Sequence, residues 1–268
     1  MQVNQTPYGK ATLKWQVAKD GGFVGAVMLG GKRVAVIEDS EEARLLVRLR
    51  NKAGELHPDY VGFYGAITRY RHFFPSGLHG AASASSERDY KERAAARLRA
   101  TVAIERANAA MNSDAVALAG ASIMTNMLSP FESARLQDTL KGDRGGQFLR
   151  GAATFASGDY TAGAAAMASA VEAHGRISWP IATYLPFLWD YERHMFLKPT
   201  VTADFANRVG HDFQHHYSAE PNADTYLALL DLVAATRSAI AELEPRDNLD
   251  IQSFIWVVGK YGAGDEQE

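Results

Sequence analysis

The stretch from His174 to Gly210, HGRISWPIATYLPFLWDYERHMFLKPTVTADFANRVG, constrains the fold more than any other part of the chain. It reads as the end of a helix, a tight turn, a second helix, an extended strap and the opening of a third helix. Gly175 can take the positive φ that a turn between helices requires. Trp179 to Leu188 is a mostly apolar run of helical length, and Pro199 sits where a helix can begin. Pro186 inside that run predicts a kink. Such a turn sets backbone N–H groups at a helix N-terminus, where a phosphate can be held. The same pattern also suits a plain helical hairpin packed in a core.

A chain of 268 residues, 47% of them hydrophobic, can bury one large core or two smaller ones. No run of eighteen apolar residues occurs, and MQVNQTPYGK lacks the basic-then-apolar order of a signal peptide, so a cytoplasmic protein with no membrane partner is expected. With no cysteine, the sequence excludes disulfides, a thiol nucleophile and thiolate-held metal clusters. The formal charge of −3 argues against non-specific coating of nucleic acid. Between Arg69 and Arg106, however, eight cations face four acids, a local excess that allows a basic face. On a helix the same residues suit a solvated, salt-bridged surface.

Short apolar runs separated by glycine pairs, such as Phe23 to Leu29 and Arg33 to Ile37, predict a small sheet or half barrel between Ala11 and about Phe74. Glu41 to Arg50 suits a helix, Tyr60 to Phe74 a strand running into a loop, and Gly80 to Ser86 a linker. Ser86 to Asp89 has the spacing of a capping box ahead of a long helix reaching Ala110. Further helices are expected over 114–126, 130–140, 145–156, 161–173, 202–210, 224–243 and 248–260. The tail residues Asp265, Glu266 and Glu268 read as a solvated acidic end. The expected class is α+β and mostly helical, with a β-rich subdomain over 1–80 and a helical domain over 81–268.

The order of turn, helix and strap resembles the helix-hairpin-helix DNA glycosylases, in which the strap carries a catalytic carboxylate, often within Val-Asp-Thr-His-Val. The resemblance covers the chain from about Ala110 onward. Here the turn reads Gly175-Arg176-Ile177-Ser178, without a second glycine, and the strap reads Leu197-Lys198-Pro199-Thr200-Val201. Lys198 stands where the family's Asp is expected, so carboxylate stabilisation of an oxocarbenium-like sugar does not carry over to that position. The resemblance implies excision of a modified base from double-stranded DNA by base flipping, without a cofactor or metal, to leave an abasic site. It extends to bacterial antiphage glycosylases that remove glucosylated hydroxymethylcytosine from phage DNA. A non-enzymatic DNA-binding or protein-interaction module with a helical core is the alternative.

Lys198, between apolar neighbours, is a candidate nucleophile or phosphate ligand, or else a lysine paired with Asp190 or Glu192. Asp204 is the nearest downstream carboxylate that could act in catalysis, and equally suits the first turn of a helix. Gly175, Arg176, Arg69, Arg71, Phe131 and Arg135 are candidate DNA contacts. Phe131 would serve as a wedge, and otherwise belongs to the core. Gln252 and Trp256, on a strongly apolar segment, are candidates for reading and walling a flipped base, as is Trp179. A purely structural account has Asn248 or Asp250 capping the last helix and Gln252 satisfied in its first turn. His211 and His215 have the spacing of metal ligands on a helix, but Gly210 favours a polar loop there.

Overall fold

The computed structural model describes residues 3–8, 11–56 and 59–262; the acidic tail expected beyond Gly262 lies outside them. The chain begins with strands β1 (Asn4–Tyr8), β2 (Ala11–Val17), β3 (Phe23–Leu29) and β4 (Lys32–Asp39). Helices α1 (Glu42–Gly54) and α2 (Gly62–Phe73) follow. Next come α3 (Ala81–Ser83), a π-helical turn at Ala84–Arg88, α4 (Asp89–Thr101), α5 (Ile104–Ala107) and α6 (Asn112–Gly120). The centre of the chain holds α7 (Pro130–Lys141), α8 (Gly145–Ala156), α9 (Tyr160–Val171) and α10 (Trp179–Trp189). It ends with α11 (Pro199–Val209), α12 (Phe213–His216), α13 (Ala223–Ala239) and α14 (Asn248–Lys260).

The fold is α+β, a small antiparallel sheet followed by a mainly helical body. No helix among the described residues is long and apolar enough to cross a membrane. Two compact units form, Met1–Ala66 with Ala203–His216, and Ile67–Thr202 with Tyr217–Glu268. The division expected between residues 80 and 81 thus falls inside the second unit, and 203–216 joins the first.

In the sheet unit the four strands pair in sequence order, with Leu13 opposite Val27 and a register shift between Val27 and Met28. Alternation along the strands puts Leu13 and Val27 on one face, where they pack with Leu45, Leu49 and Ala53 of α1. A Cβ at Gly25 would run into the Leu49 and Leu45 side chains, so glycine is what lets α1 lie close on β3. Asp39 ends β4 and accepts hydrogen bonds from Arg44 at 2.7 Å and Arg48 at 2.9 Å. The Arg44 guanidinium, ahead of Arg48, holds the Asp39 carboxyl well below the usual carboxylate range. Gly210 ends α11 with a φ of 76°, but residues 213–216 form α12 rather than the polar loop expected, and His216 Nε2 lies 3.3 Å from Asp212. His215 stacks on Tyr8 with ring centroids 3.7 Å apart, while His211 Nδ1 accepts from the Phe213 N–H at 3.1 Å.

Between residues 60 and 110 four expectations are corrected. The stretch 60–74, read as a strand from its aromatic and β-branched residues, is helical from Gly62. Its buried side chains Ala66, Ile67, Tyr70 and Phe73 recur at the helical period, and that packing overrides β propensity. The expected linker 80–86 is helical too. Small residues there allow close packing, and the Ser83 hydroxyl lies 2.7 Å from Tyr70 Oη. Ser86 therefore lies inside the π-helical turn and does not form a capping box. The helix after it ends at Thr101, well before Ala110. There the backbone turns extended to bury Val102, whose carbonyl accepts the Trp189 indole N–H at 2.9 Å.

Candidate functional site: a two-part cleft in the helical unit

Helix α14 is the strut on which the site is built. Its N-cap is Asp247, whose carboxylate accepts from the Leu249 and Asp250 N–H groups, rather than Asn248 or Asp250. Asn248 holds the strap instead: its amide donates to the His194 carbonyl at 3.0 Å, and its N–H donates to the Tyr191 carbonyl. The strap is further fixed by the Leu197 N–H donating to Thr183 Oγ1 and the Met195 N–H donating to Tyr226 Oη. Burial keeps His194 below its ordinary pKa. Its Nε2 lies 2.9 Å from the Ala156 carbonyl, a contact that makes Nε2 the protonated nitrogen.

A buried ionic network backs α14. Arg88, on the π-helical turn, donates to Asp247 at 2.6 Å and Asp250 at 2.8 Å, and reaches Glu92 at 2.7 Å. Arg246 makes a second pair with Asp250 at 2.8 Å. Burial acts to raise the Asp250 carboxyl, but the hydrogen bonds from Arg246 and the charge of Arg88 outweigh it and hold the group below its ordinary value. One turn on, the fully buried Lys91 donates to Glu87 at 3.2 Å and Ser253 Oγ at 2.9 Å. Desolvation pushes its pKa down. The remaining Glu87 oxygen accepts from Tyr261 Oη at 2.7 Å. Arg88 and Lys91 thus leave the basic surface that the sequence allowed and become interior groups.

Above this network lies an enclosed cavity of about 30 Å³, walled by Glu87, Tyr90, Met127, Phe196, Gln252 and Trp256. That volume is about the space of a single water. Gln252 is 6% exposed, and its Oε1 has no hydrogen-bond partner among the described residues, contrary to the expectation that the first turn satisfies it. Glu87 is the one carboxylate among the described wall residues. The cavity shares Tyr90 and Asn126 with an open outer cleft of about 370 Å³, which Arg93, Arg97, Ser122 and Thr125 also line.

Lys198 meets this site from the strap. Its Nζ donates to the carbonyl of Met127, a wall residue, at 3.3 Å and to Glu132 at 2.8 Å, so its acidic partner is neither Asp190 nor Glu192. Burial acts to raise the Glu132 carboxyl, but Lys198 and the Ser129 N–H together hold it below its ordinary value. Glu132 also completes a capping box with Ser129, so α7 begins at the residues that anchor Lys198. Asp204 belongs to the sheet unit, where it pairs with Arg208 at 2.7 Å along α11.

The other sequence candidates fall into four groups. Gly175 has φ of 119°, and Arg135 Nε lies 3.2 Å from where a Cβ would be. Arg135 also donates to the Arg176 carbonyl at 2.7 Å, so α7 braces the turn. Helix α9 packs chiefly on α8, and α10 on α4 and α8. Phe131 is 84% exposed and is not a core residue. Arg69 is spent on the Val258 and Tyr261 carbonyls at the end of α14, and Arg71 pairs with Glu242 at 3.1 Å. Trp179 is 1% exposed, its indole N–H donates to the Ser218 carbonyl at 2.7 Å, and its ring stacks on Tyr226. It therefore presents no wall to a ligand.

The structure thus joins Gln252 and Trp256 in the wall of one cavity, which Lys198 reaches only through the Met127 carbonyl, and Arg135, Gly175 and Arg176 at one turn. Glu87, Tyr90, Met127 and Phe196 escaped the sequence reading as site residues. The one available signal was Glu87 four residues before Lys91, a spacing that also fits an ordinary surface pair. Comparison with protein-family models, with curated proteins and with solved structures returns no match for this chain.

Proposed function

We propose that the helical unit is a DNA glycosylase that hydrolyses the N-glycosidic bond of a modified base. The observation that carries this reading is the cavity in which an unpartnered, buried Gln252 Oε1, the Trp256 ring and the Glu87 carboxylate converge. A carboxamide can read the hydrogen-bonding edge of an extruded base, and an aromatic wall can stack on it. A desolvated carboxylate stabilises the positive charge that develops at the sugar. In this scheme the C1′–N bond breaks with its electron pair leaving on the base. Water then adds to C1′ and its proton passes through Glu87 to the departing base, leaving an abasic site and the neutral free base. Lys91 and the Tyr261 hydroxyl fix the Glu87 oxygens, which still have free lone pairs for the sugar.

Because Lys198 is committed to Glu132, it serves in this reading to hold Met127 and the strap in place, and hydrolysis without a Schiff base is the expected course. The enclosed space is smaller than a base, so entry requires Trp256, which is only partly buried, or the flexible Met127 to swing aside. The departure of the turn and strap from the common helix-hairpin-helix pattern points to an unusual base, for which glucosylated hydroxymethylcytosine, the substrate of antiphage glycosylases, is the proposed case.

Abasic-site formation, read with an aldehyde-reactive probe on unmodified DNA, on phage DNA carrying glucosylated hydroxymethylcytosine and on a lesion panel, tests the proposal. Signal confined to one modified base supports it, and silence on every substrate rejects it. The second reading, a protein-interaction module, draws on the exposed Phe131 and on the engagement of Arg69, Arg71 and Arg135 in contacts of their own. In that case Phe131→Ala abolishes partner binding and no base is released.

A further inference from the structure

The outer cleft has a chemistry of its own. Arg93 and Arg97 sit one turn apart on α4, both exposed and both lining the cleft. Like charges at this spacing repel each other, so an isolated helix gains nothing from the pair. Arg93 has no ion pair or hydrogen bond among the described residues, although Asp89 lies one turn earlier. Arg97 uses one donor on the Ser122 carbonyl at 3.1 Å, which leaves most of its five N–H groups. Several other arginines of the unit are neutralised, as Arg106 is by Asp114, Arg144 by Glu172 and Arg246 by Asp250, whereas Arg69, Arg99 and Arg135 bond carbonyl oxygens. No acid is among the described residues lining the cleft.

The facing wall supplies neutral donors. Tyr184 Oη gives its single proton to the Ile123 carbonyl at 2.6 Å, so Thr125 Oγ1 donates to Tyr184 Oη and accepts from the Met127 N–H. The Ser122 hydroxyl and the Asn126 amide lie in the same loop. A volume of about 370 Å³ suits a small ligand. At the inner end the cleft shares Tyr90 and Asn126 with the cavity that holds the unpartnered Gln252 Oε1, so it ends on an acceptor that suits an amino group.

We propose that the outer cleft binds the phosphate ester of a nucleotide on the Arg93 and Arg97 guanidinium groups, with the nucleobase directed toward Gln252. The direction of the base rests on the reading of the inner cavity given above, whereas the phosphate site stands on the arginines alone. A planar guanidinium pair suits phosphate oxygens through bidentate, charge-assisted hydrogen bonds.

The test is calorimetric titration of the full chain with orthophosphate, deoxycytidine 5′-monophosphate, deoxycytidine and a single-stranded pentanucleotide. Arg93→Ala and Arg97→Ala are measured alongside, and Arg93→Ala is the cleaner variant because it removes no internal contact. The proposal expects saturable binding of the monophosphate, deoxycytidine weaker by about tenfold or more, and a similar loss in each variant. A pentanucleotide that binds more tightly than the monophosphate, with the same sensitivity to Arg93, assigns the phosphate to a strand; equal affinities assign it to a free nucleotide. The site is overturned if the wild type takes up neither orthophosphate nor the monophosphate, or if both variants bind as the wild type does. Base release is scored separately, so phosphate binding without it retains this site and rejects the glycosylase.

Discussion

In the sheet unit Asp39 meets Arg44 and Arg48 at a rim where both arginine side chains are about half exposed, whereas in the helical unit Arg88, Lys91, Glu87, Asp247 and Asp250 are all buried. The first arrangement leaves the core beneath α1 wholly apolar. The second puts several charges inside the protein, where desolvation is expensive and apolar packing would give comparable stability. A chain that uses the cheaper solution in one unit and the dearer one in the other has a reason for the dearer one. The cavity wall supplies it: Glu87 is both a member of the network and a lining residue. The π-helical turn that carries Glu87 and Arg88 is a further departure from regular geometry at the same place.

The strongest way to break this contrast is to remove Arg88. Arg88→Met leaves Asp247 and Asp250 as buried charges short of a partner and is expected to destabilise the helical unit by about 3–5 kcal/mol. Arg44→Ala at the exposed rim is expected to have a much smaller effect. Denaturant unfolding of the full chain, followed by circular dichroism, compares the two. Equal losses would dissolve the distinction between the units.

Acid sharpens the contrast next. The Asp250 carboxyl titrates lower in the folded protein than in the unfolded chain, so its contribution is complete above about pH 4 and is lost as the pH falls through the lower folded value. His194 is depressed as well, so its contribution is complete above about pH 6.5 and erodes below it as the unfolded chain takes up the proton. Stability should therefore fall in two stages. Asp250→Asn is expected to shrink the lower stage, which Asp39 and Glu132 share, and His194→Gln the upper, which His215 shares; an unchanged pH profile in both variants would contradict the assignment.

A chemical probe follows. With Lys198 held by Glu132, borohydride should trap no covalent DNA adduct during base release. A trapped adduct that disappears in Lys198→Gln would turn the hydrolase reading into a lyase. The smallest expected effect concerns the turn: Arg135→Ala removes one hydrogen bond to the Arg176 carbonyl and is expected to lower stability by about 1 kcal/mol. Amide exchange near Gly175 would register the loss.

Much of the fold is legible in local pattern. Strand β3 and helices α7, α8 and α14 fall close to where glycine pairs, a serine cap and apolar period place them, and the positive φ of Gly175 follows from its turn. Helix α2 was not legible, because Tyr64, Ile67, Thr68 and Tyr70 favour strands locally and only burial of the 66, 67, 70 and 73 positions makes them helical. Nor was the segment 80–86, whose small residues suit a linker and a close-packed helix equally.

The candidate site divides in the same way. Gln252 and Trp256 stood out as polar and aromatic residues on an apolar helix, and they do line the cavity. The partners that give the site its character come from far along the chain. Lys198 pairs with a residue 66 positions away, and Arg88 with one 159 positions away. No spacing rule encodes such pairs. For the same reason Arg93 and Arg97 were visible only as part of a basic excess, and Asp204 only as the nearest carboxylate downstream of the strap.

The most direct measurement is single-turnover base release, on whichever substrate the abasic-site panel identifies, by the wild type, Glu87→Gln and Asp204→Asn, with folding verified by circular dichroism. A loss of about a hundredfold or more is expected for Glu87→Gln, and near wild-type release for Asp204→Asn. Full activity in folded Glu87→Gln, with the loss falling on Asp204→Asn instead, would contradict it.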